Sequence, residues 1–236
     1  MPDFAVMHFH NPAHGKAEAL GEAFAGTHLA RLRQMRGFTG VQRFAVAQTQ
    51  LMPGAQPWAN LTTYEFTLDQ PEMHLPALAS PLADLRDAGL IASDGTERVY
   101  SYGLYSPWKF STNLDPAQPF SHMMVLLANV TAGQDAEYHQ WYDDVHSVEV
   151  TNSPGYVGMK RGALLDVPVA PVHYCPGSQL ILGAMQTDDL TATFAEFIAR
   201  ANGKSTSGVN WGPRPQSASV ARTVHIFASV QGPFAG

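Results

Sequence analysis

The 236-residue chain has a single cysteine, Cys175. That excludes an intrachain disulfide and fits a reducing, cytoplasmic setting. A catalytic thiol stays open, although a lone cysteine is more often a small buried residue. Charge is scarce: Asp, Glu, Lys and Arg make up 14% of the chain, and the net charge is −6. Binding a phosphate backbone needs a basic surface, so no nucleic-acid partner is expected. No run of about 18 apolar residues occurs, so no membrane span is expected. The opening residues, Met1 to Phe4, hold neither a basic nor an apolar stretch, so no secretory signal is visible. A phosphate-binding glycine loop, a nucleophile elbow, paired CxxC elements and a dinucleotide fingerprint are all missing. Accordingly no cofactor is expected.

What is present is a hydrophobic content of 45%, enough for a packed core. Residues 4–10 alternate and read as a strand, with Ala5, Met7 and Phe9 on one face and Val6, His8 and His10 on the other. In 16–35, Leu20, Phe24, His28 and Leu32 recur every four residues, which predicts a helix stopped by Gly37. Strands are predicted at 38–48, 59–67 and 97–105, with a second helix at 72–88. The order is β-α-β-β-α-β, the ferredoxin-like unit.

The second part of the chain repeats this order. Strands are predicted at 123–130, 157–165, 179–186 and 219–230, and helices at 135–152 and 190–201. On the first of these helices Tyr138, Tyr142, Val145 and Glu149 are expected to share a face. A shift of 118 residues carries His28 to His146, Gly37 to Gly155, Phe38 to Tyr156, Gly40 to Gly158 and Arg43 to Arg161 without a gap. We therefore expect two tandem units, 1–110 and 118–236. The proline-containing stretch 106–121 is read as the linker. Residues 203–217, rich in Gly, Ser and Pro around Trp211, form a long loop suited to covering a site.

Trp141, Tyr142, Asp143, His146, Pro154, Gly155 and Tyr156 stand in the pattern W-Y-D-x-x-H followed by P-G-Y. This motif, at 141–156, resembles that of the EthD-like group in the dimeric α+β barrel superfamily. The resemblance implies an α+β fold in which two ferredoxin-like antiparallel sheets pack face to face as a barrel around a cavity. Such a barrel usually closes across a homodimer, but a duplicated chain can close it alone; a homodimer stays open here. The first unit keeps His28, Gly37 and Phe38 but has Ala23 and Ala25 where the motif has Trp and Asp, so only the second unit carries it whole. The superfamily includes cyclases, isomerases, monooxygenases and haem-degrading enzymes, so fold does not fix reaction.

His146 is the first catalytic candidate, because imidazole titrates near neutrality and Asp143 or Glu149, three residues away on either side, can orient it. His28 inherits the role in the first unit without those carboxylates. His8 and His10, two residues apart on a strand, are expected to face the cavity if Ala5, Met7 and Phe9 pack under the helices. They could chelate a metal with His14 or His225, but no third ligand has firm spacing, so no metal site is expected. His225 is expected to join this cavity from the last strand. Tyr142, Tyr64, Arg43, Arg161 and Trp211 are the candidate substrate contacts. Either Tyr64 or Glu65 should line the cavity, since they point to opposite faces. Trp58, Trp108 and Trp211 sit in loops, where they suit either a hydrophobic ligand or simple anchoring.

The reading is a small-molecule enzyme. It would use histidine acid–base chemistry, without a redox cofactor, on a hydrophobic, aromatic or polyketide-like substrate, as a lyase, isomerase or cyclase. The alternatives are a cofactor-free or haem-linked monooxygenase and a non-catalytic binding or stress-response module.

Overall fold

The structure, a computed structural model, describes residues 1–169, 173–218 and 222–235. Among the described residues there are nine strands and four helices, and all but one short strand follow the expected order. The strands are β1 (Asp3–His10), β2 (Phe38–Val46), β3 (Asn60–Thr67), β4 (Arg98–Leu104), β5 (Lys109–Phe110), β6 (His122–Ala128), β7 (Tyr156–Leu164), β8 (Gln179–Met185) and β9 (Arg222–Ala235). The predicted start of the last strand, at 219–221, lies outside the described residues. Within the stretch read as linker, the two-residue β5 pairs with β7.

Helix α1 runs as α-helix over Ala17–Ala23, as π-helix over Phe24–His28 and as α-helix again over Leu29–Leu32. Helix α2 comprises Pro71–His74, a 3₁₀ turn at Leu75–Leu78 and Ala79–Asp87. Helix α3 repeats the first pattern: α over Asp135–Trp141, π over Tyr142–His146, α over Ser147–Thr151. Helix α4 is Leu190–Ala201, with the Asp189 carboxylate accepting from Ala192 N–H at its start. The two π turns are 118 residues apart, as are the register shifts between Phe38 and Gly40 and between Tyr156 and Gly158.

All strand pairs are antiparallel, in the order β4-β1-β3-β2-β9-β6-β8-β7. A further pairing of Tyr102–Leu104 on β4 with residues 162–164 on β7 closes the sheet into an eight-stranded barrel. The two ferredoxin-like sheets are thus one continuous sheet within one chain, sewn together by the β2–β9 and β4–β7 ladders. This is the expected α+β barrel.

Alternation along the strands then decides what goes where. Ala5, Met7 and Phe9 join Phe44, Tyr102, Val125, Leu127, Leu182 and Phe227 in one buried cluster inside the barrel. Val6, Tyr64 and Phe66 pack outward under α1 and α2, and Met124, Ile181 and Ile226 pack outward under α3 and α4. The face assignment made from sequence for β1 is therefore reversed. The row carrying Ala5, Met7 and Phe9 faces the barrel interior, and the row carrying His8 and His10 faces the helices. The middle of the barrel is core, not the expected shared cavity; the room lies outside it, between sheet and helices. One end of the barrel does hold a cavity of about 650 Å³, lined in part by Glu65, Gln42 and Trp108.

Gly37 and Gly155 end α1 and α3 with φ of +73° and +82°. A side chain at either would also collide: a Cβ at Gly37 would sit 2.5 Å from the Thr67 carbonyl oxygen, and one at Gly155 would sit 2.6 Å from Thr193 Oγ1. Glycine is required there by backbone and by space together. These turns set the height at which His28 and His146 meet the sheet.

Candidate active site

The π turn in α3 explains the placement of His146. Bonding from i to i+5 widens the helix by one residue, so residues five apart can share a face. Trp141 and His146 stack, with ring centroids 4.3 Å apart and planes 14° apart. Tyr142 meets the imidazole edge-on at 5.0 Å. The same insertion turns Val145 outward, where it is exposed rather than on the buried face expected for it. Trp211, from the long 202–221 connection, closes the third side at 5.1 Å. His146 is thus buried in an aromatic cage.

Its Nδ1 is 3.1 Å from Glu149 Oε2, while Glu149 Oε1 accepts the Gly212 N–H at 2.6 Å. Glu149 therefore ties the imidazole to the covering loop, using both oxygens. Burial lowers the His146 pKa below the ordinary value, and the Glu149 carboxylate offsets part of that. For Glu149, burial pushes upward, but the hydrogen bonds from His146 and the Gly212 N–H outweigh it and hold the carboxyl below its usual range. The pair is thus a neutral imidazole beside a carboxylate near neutral pH, the form that accepts a proton. With Nδ1–H given to Glu149, Nε2 is the basic nitrogen. Nε2 has no hydrogen-bond partner among the described residues, and His146 lines a cavity of about 550 Å³. Met124, Met159, Ile181 and Phe197 line it as well, together with Leu51 and Met52 reaching over from the β2–β3 loop.

Of the two carboxylates expected to orient His146, Asp143 does something else. Its Oδ1 accepts from Arg161 at 2.6 Å and from Lys109 at 3.0 Å. Arg161 is buried, with its guanidinium over the rings of Tyr142 and Tyr105 at 4.9 and 5.1 Å. These two residues clamp α3 to the sheet behind the cavity and do not line it. Arg43 repeats the arrangement in the first half, over Phe24 at 5.0 Å, with its Nη1 donating to Gln231 at 2.6 Å. Phe24 and Tyr142, like Arg43 and Arg161, are 118 residues apart. The expectation that the arginines contact substrate gives way to a helix-to-sheet strut.

In the first half the same space between helix and sheet is filled. His28 Nε2 is 3.1 Å from the Tyr64 hydroxyl, and Tyr64 is buried. His8 Nε2 is 2.8 Å from Glu97, which also accepts from Arg86 at 2.8 Å. His10 Nε2 is 3.3 Å from Thr62, and the His8 and His10 rings lie 4.5 Å apart. Burial lowers the pKa of His28 to about 3 and depresses His8 and His10 too. Burial alone would raise Glu97, but the bonds from His8 and Arg86 hold it at about 2.

Register shows why the halves differ. Val6 pairs with Tyr64 on β3, and the equivalent Met124 pairs with Gly183 on β8. Where the first half puts a phenol on its helix histidine, the second puts nothing. Likewise His8 is matched by Leu126 and His10 by Ala128. Of these, Leu126 lines the cavity, and Met124 fills the space beside Gly183.

The histidines predicted to converge are thus divided into three groups. His8 and His10, on β1, lie under α1 beside its own His28, whereas His146 projects from α3. His225 faces the barrel interior against Trp58 at 5.2 Å, its Nδ1 2.7 Å from Gln56 Oε1. Trp58 donates from its indole nitrogen to the Thr96 carbonyl at 2.6 Å, and Trp108 stacks on Phe110. Both anchor loops; Trp108 also lines the cavity at the barrel end, and of the three loop tryptophans Trp211 lines the His146 cavity. Among the described residues no three His, Cys, Asp or Glu side chains come together as a metal-binding group. None of the helices there is long and apolar enough to cross a membrane.

Sequence reasoning missed Arg214, Arg222 and Gly183. Arg222 holds the position of Glu97, but twenty residues separate it from the end of the preceding helix, against nine in the first half. The offset is already 119 residues between Tyr64 and Gly183 and becomes 125 after that insertion.

No family model matches the chain, and no curated protein does. Solved structures are similar over nearly the whole length. An anthrone oxidase-like protein superposes with a TM-score of 0.60 at 9% identity, covering 98% of this chain and 92% of that one. A candidate monooxygenase from Lactobacillus acidophilus NCFM gives 0.55 at 11% identity, over 100% and 99%. Another, from Fusobacterium nucleatum, gives 0.54 at 10%, over 100% and 97%. At these identities the likeness is one of fold: an eight-stranded antiparallel α+β barrel, closed here by one chain.

Proposed function

We infer that the chain is a cofactor-free oxygenase of an aromatic substrate, with His146 as its base. The observation that carries this reading is the unpartnered Nε2 of His146 at an aromatic-lined cavity, with Nδ1 held by Glu149. A base in a largely apolar pocket suits removal of a proton from an acidic phenol or benzylic CH₂. The resulting carbanion gives an electron to O₂, and recombination forms the C–O bond. Return of the proton and loss of water leave a ketone or quinone. Overall, CH₂ and O₂ become C=O and H₂O, and no external reductant is needed. The anthrone oxidase-like and monooxygenase neighbours favour this over the lyase, isomerase or cyclase reading, which shares the proton abstraction but uses no oxygen. The motif from Trp141 to Tyr156 supports placing the chain with the EthD-like group.

The test is oxygen uptake with anthrone-type and hydroquinone substrates, alongside an absorption spectrum of the purified protein. We expect stoichiometric O₂ consumption with no Soret band. His146→Gln should lower kcat by roughly 10²–10⁴-fold, the usual worth of a positioned proton acceptor. Turnover without oxygen uptake would move the assignment to the lyase or isomerase class. A folded His146→Gln protein with unchanged kcat would remove the base.

A further inference from the structure

We propose that this cavity takes a flat aromatic acid, its carboxylate held at the rim by Arg214, Arg222 and the indole N–H of Trp211. The inference rests on the oxygenase reading for the identity of the site and goes beyond it in naming the substrate class. The charged side chains lining the cavity are Glu149, Arg214 and Arg222. Glu149 is spent, with one oxygen on the His146 imidazole and the other on the Gly212 N–H. No carboxylate in the lining is left for the arginines. Arg214 lies over the Trp141 ring at 5.9 Å, and neither guanidinium has a hydrogen bond or ion pair among the described residues.

Exposed arginines need no partner, and both of these are exposed. The indole of Trp211 is different. Its Nε1 is buried and has no acceptor among the described residues, and buried N–H groups rarely go unpaired. Two guanidiniums and a buried indole N–H, all on residues that line this cavity and all without acceptors among the described residues, call for an anionic oxygen pair from outside. Like charge sharpens this: Arg214 and burial together depress the Arg222 guanidinium, a cost an anion between them would relieve. The first half offers the contrast. There Glu97 stands in the place of Arg222 and pairs internally with His8 and Arg86. Beyond the rim the walls are flat or flexible and apolar, with Phe197, Met124 and Met159 beside the His146 cage. A fused ring fits such walls, with its carboxylate outward and its reactive carbon toward Nε2.

The test is anaerobic isothermal titration with 1-hydroxy-2-naphthoic acid and its methyl ester, which differ in charge and little in shape. The acid should bind at least about tenfold tighter than the ester at low salt, and the preference should shrink as salt is added. Arg214→Gln and Arg222→Gln should each weaken the acid by roughly tenfold, a charge-assisted hydrogen bond discounted for exposure, and leave the ester unchanged. Trp211→Phe keeps a ring but loses the donor, and should weaken the acid alone. His146→Gln should still bind it. Equal affinity for acid and ester overturns the proposal. So does acid binding that survives the double arginine variant, or no binding by the wild-type protein at millimolar acid. No turnover takes place in this measurement. A protein that binds the acid but never consumes oxygen refutes the oxygenase reading and leaves the anion site standing.

Discussion

A single helical residue, Glu149, determines how His146 can work. It orients the ring through Nδ1 and holds the loop through Gly212, so its removal has two separable consequences. Glu149→Gln should cost about 10–100-fold in kcat/KM, less than loss of the base itself, because orientation is lost and Nε2 remains. It should also move the pH profile. The active form of His146 is neutral, so activity falls as pH drops through its pKa, which burial already places below the ordinary imidazole value. The carboxylate raises that pKa, and its loss lowers it further. The acid limb of kcat/KM in Glu149→Gln should therefore lie at lower pH than in wild type. A limb that stays put or moves up would show that Glu149 has no electrostatic hold on the imidazole.

Among the elements, strand β8 makes the difference between an open and a filled half. Gly183 stands where Tyr64 stands on β3, and the space beside it is taken by Met124, a cavity-lining side chain whose Cε would lie 3.0 Å from an added Cβ. Gly183→Tyr should put a phenol against His146, as Tyr64 is put against His28. We expect folded protein by circular dichroism, with ligand affinity and kcat/KM lowered at least about tenfold as the cavity fills. Unaltered binding in a folded Gly183→Tyr protein would break the proposed equivalence of the two strands. The π turns show which parts of the helices were legible in sequence. The stripe of Leu20, Phe24, His28 and Leu32 is buried as its spacing predicts, and so are Tyr138, Tyr142 and His146. Val145 is not, because an i→i+5 turn leaves no mark in hydrophobic periodicity.

At the scale of the whole molecule, the two halves are held together by the ladders β2–β9 and β4–β7. Each half alone would expose two strand edges and the apolar row that now fills the barrel. Fragments 1–110 and 118–236 expressed separately should therefore self-associate or aggregate, and mixing them should recover one barrel. A monomeric, well-folded 1–110 fragment in light scattering would contradict this. The buried histidines of the first half set the response to acid. His28 has a folded pKa near 3 against about 6.5 when unfolded, so it stays neutral while the unfolded chain takes up a proton. The stability it contributes is fully present above about pH 6.5 and is lost as pH falls toward 3. Between pH 8 and pH 5 that is about 2 kcal/mol from His28 alone, with losses of the same sign from His8 and His10. The urea midpoint should drop accordingly; a midpoint unchanged at pH 5 would mean that these histidines are not buried as neutral groups.

The α+β barrel was expected from the resemblance of the 141–156 motif to the EthD-like group, while periodicity, turn glycines and the 118-residue echo were enough to read the order of elements and the place of His146 at a helix–sheet junction. Those features are local, because each arises from a few neighbouring residues obeying spacing and backbone limits. The sequence could not say which face of β1 turns inward, since His8, Met7 and their neighbours alternate the same way for either choice. Only closure of the barrel decided that the apolar row fills the interior. Nor could it separate the five histidines, choose Glu149 over Asp143, or find Arg222 behind the longer loop. These depend on which strand lies opposite which and on one extra residue in a helical turn. They are relations across distances in sequence, and the packed tertiary structure alone supplies them.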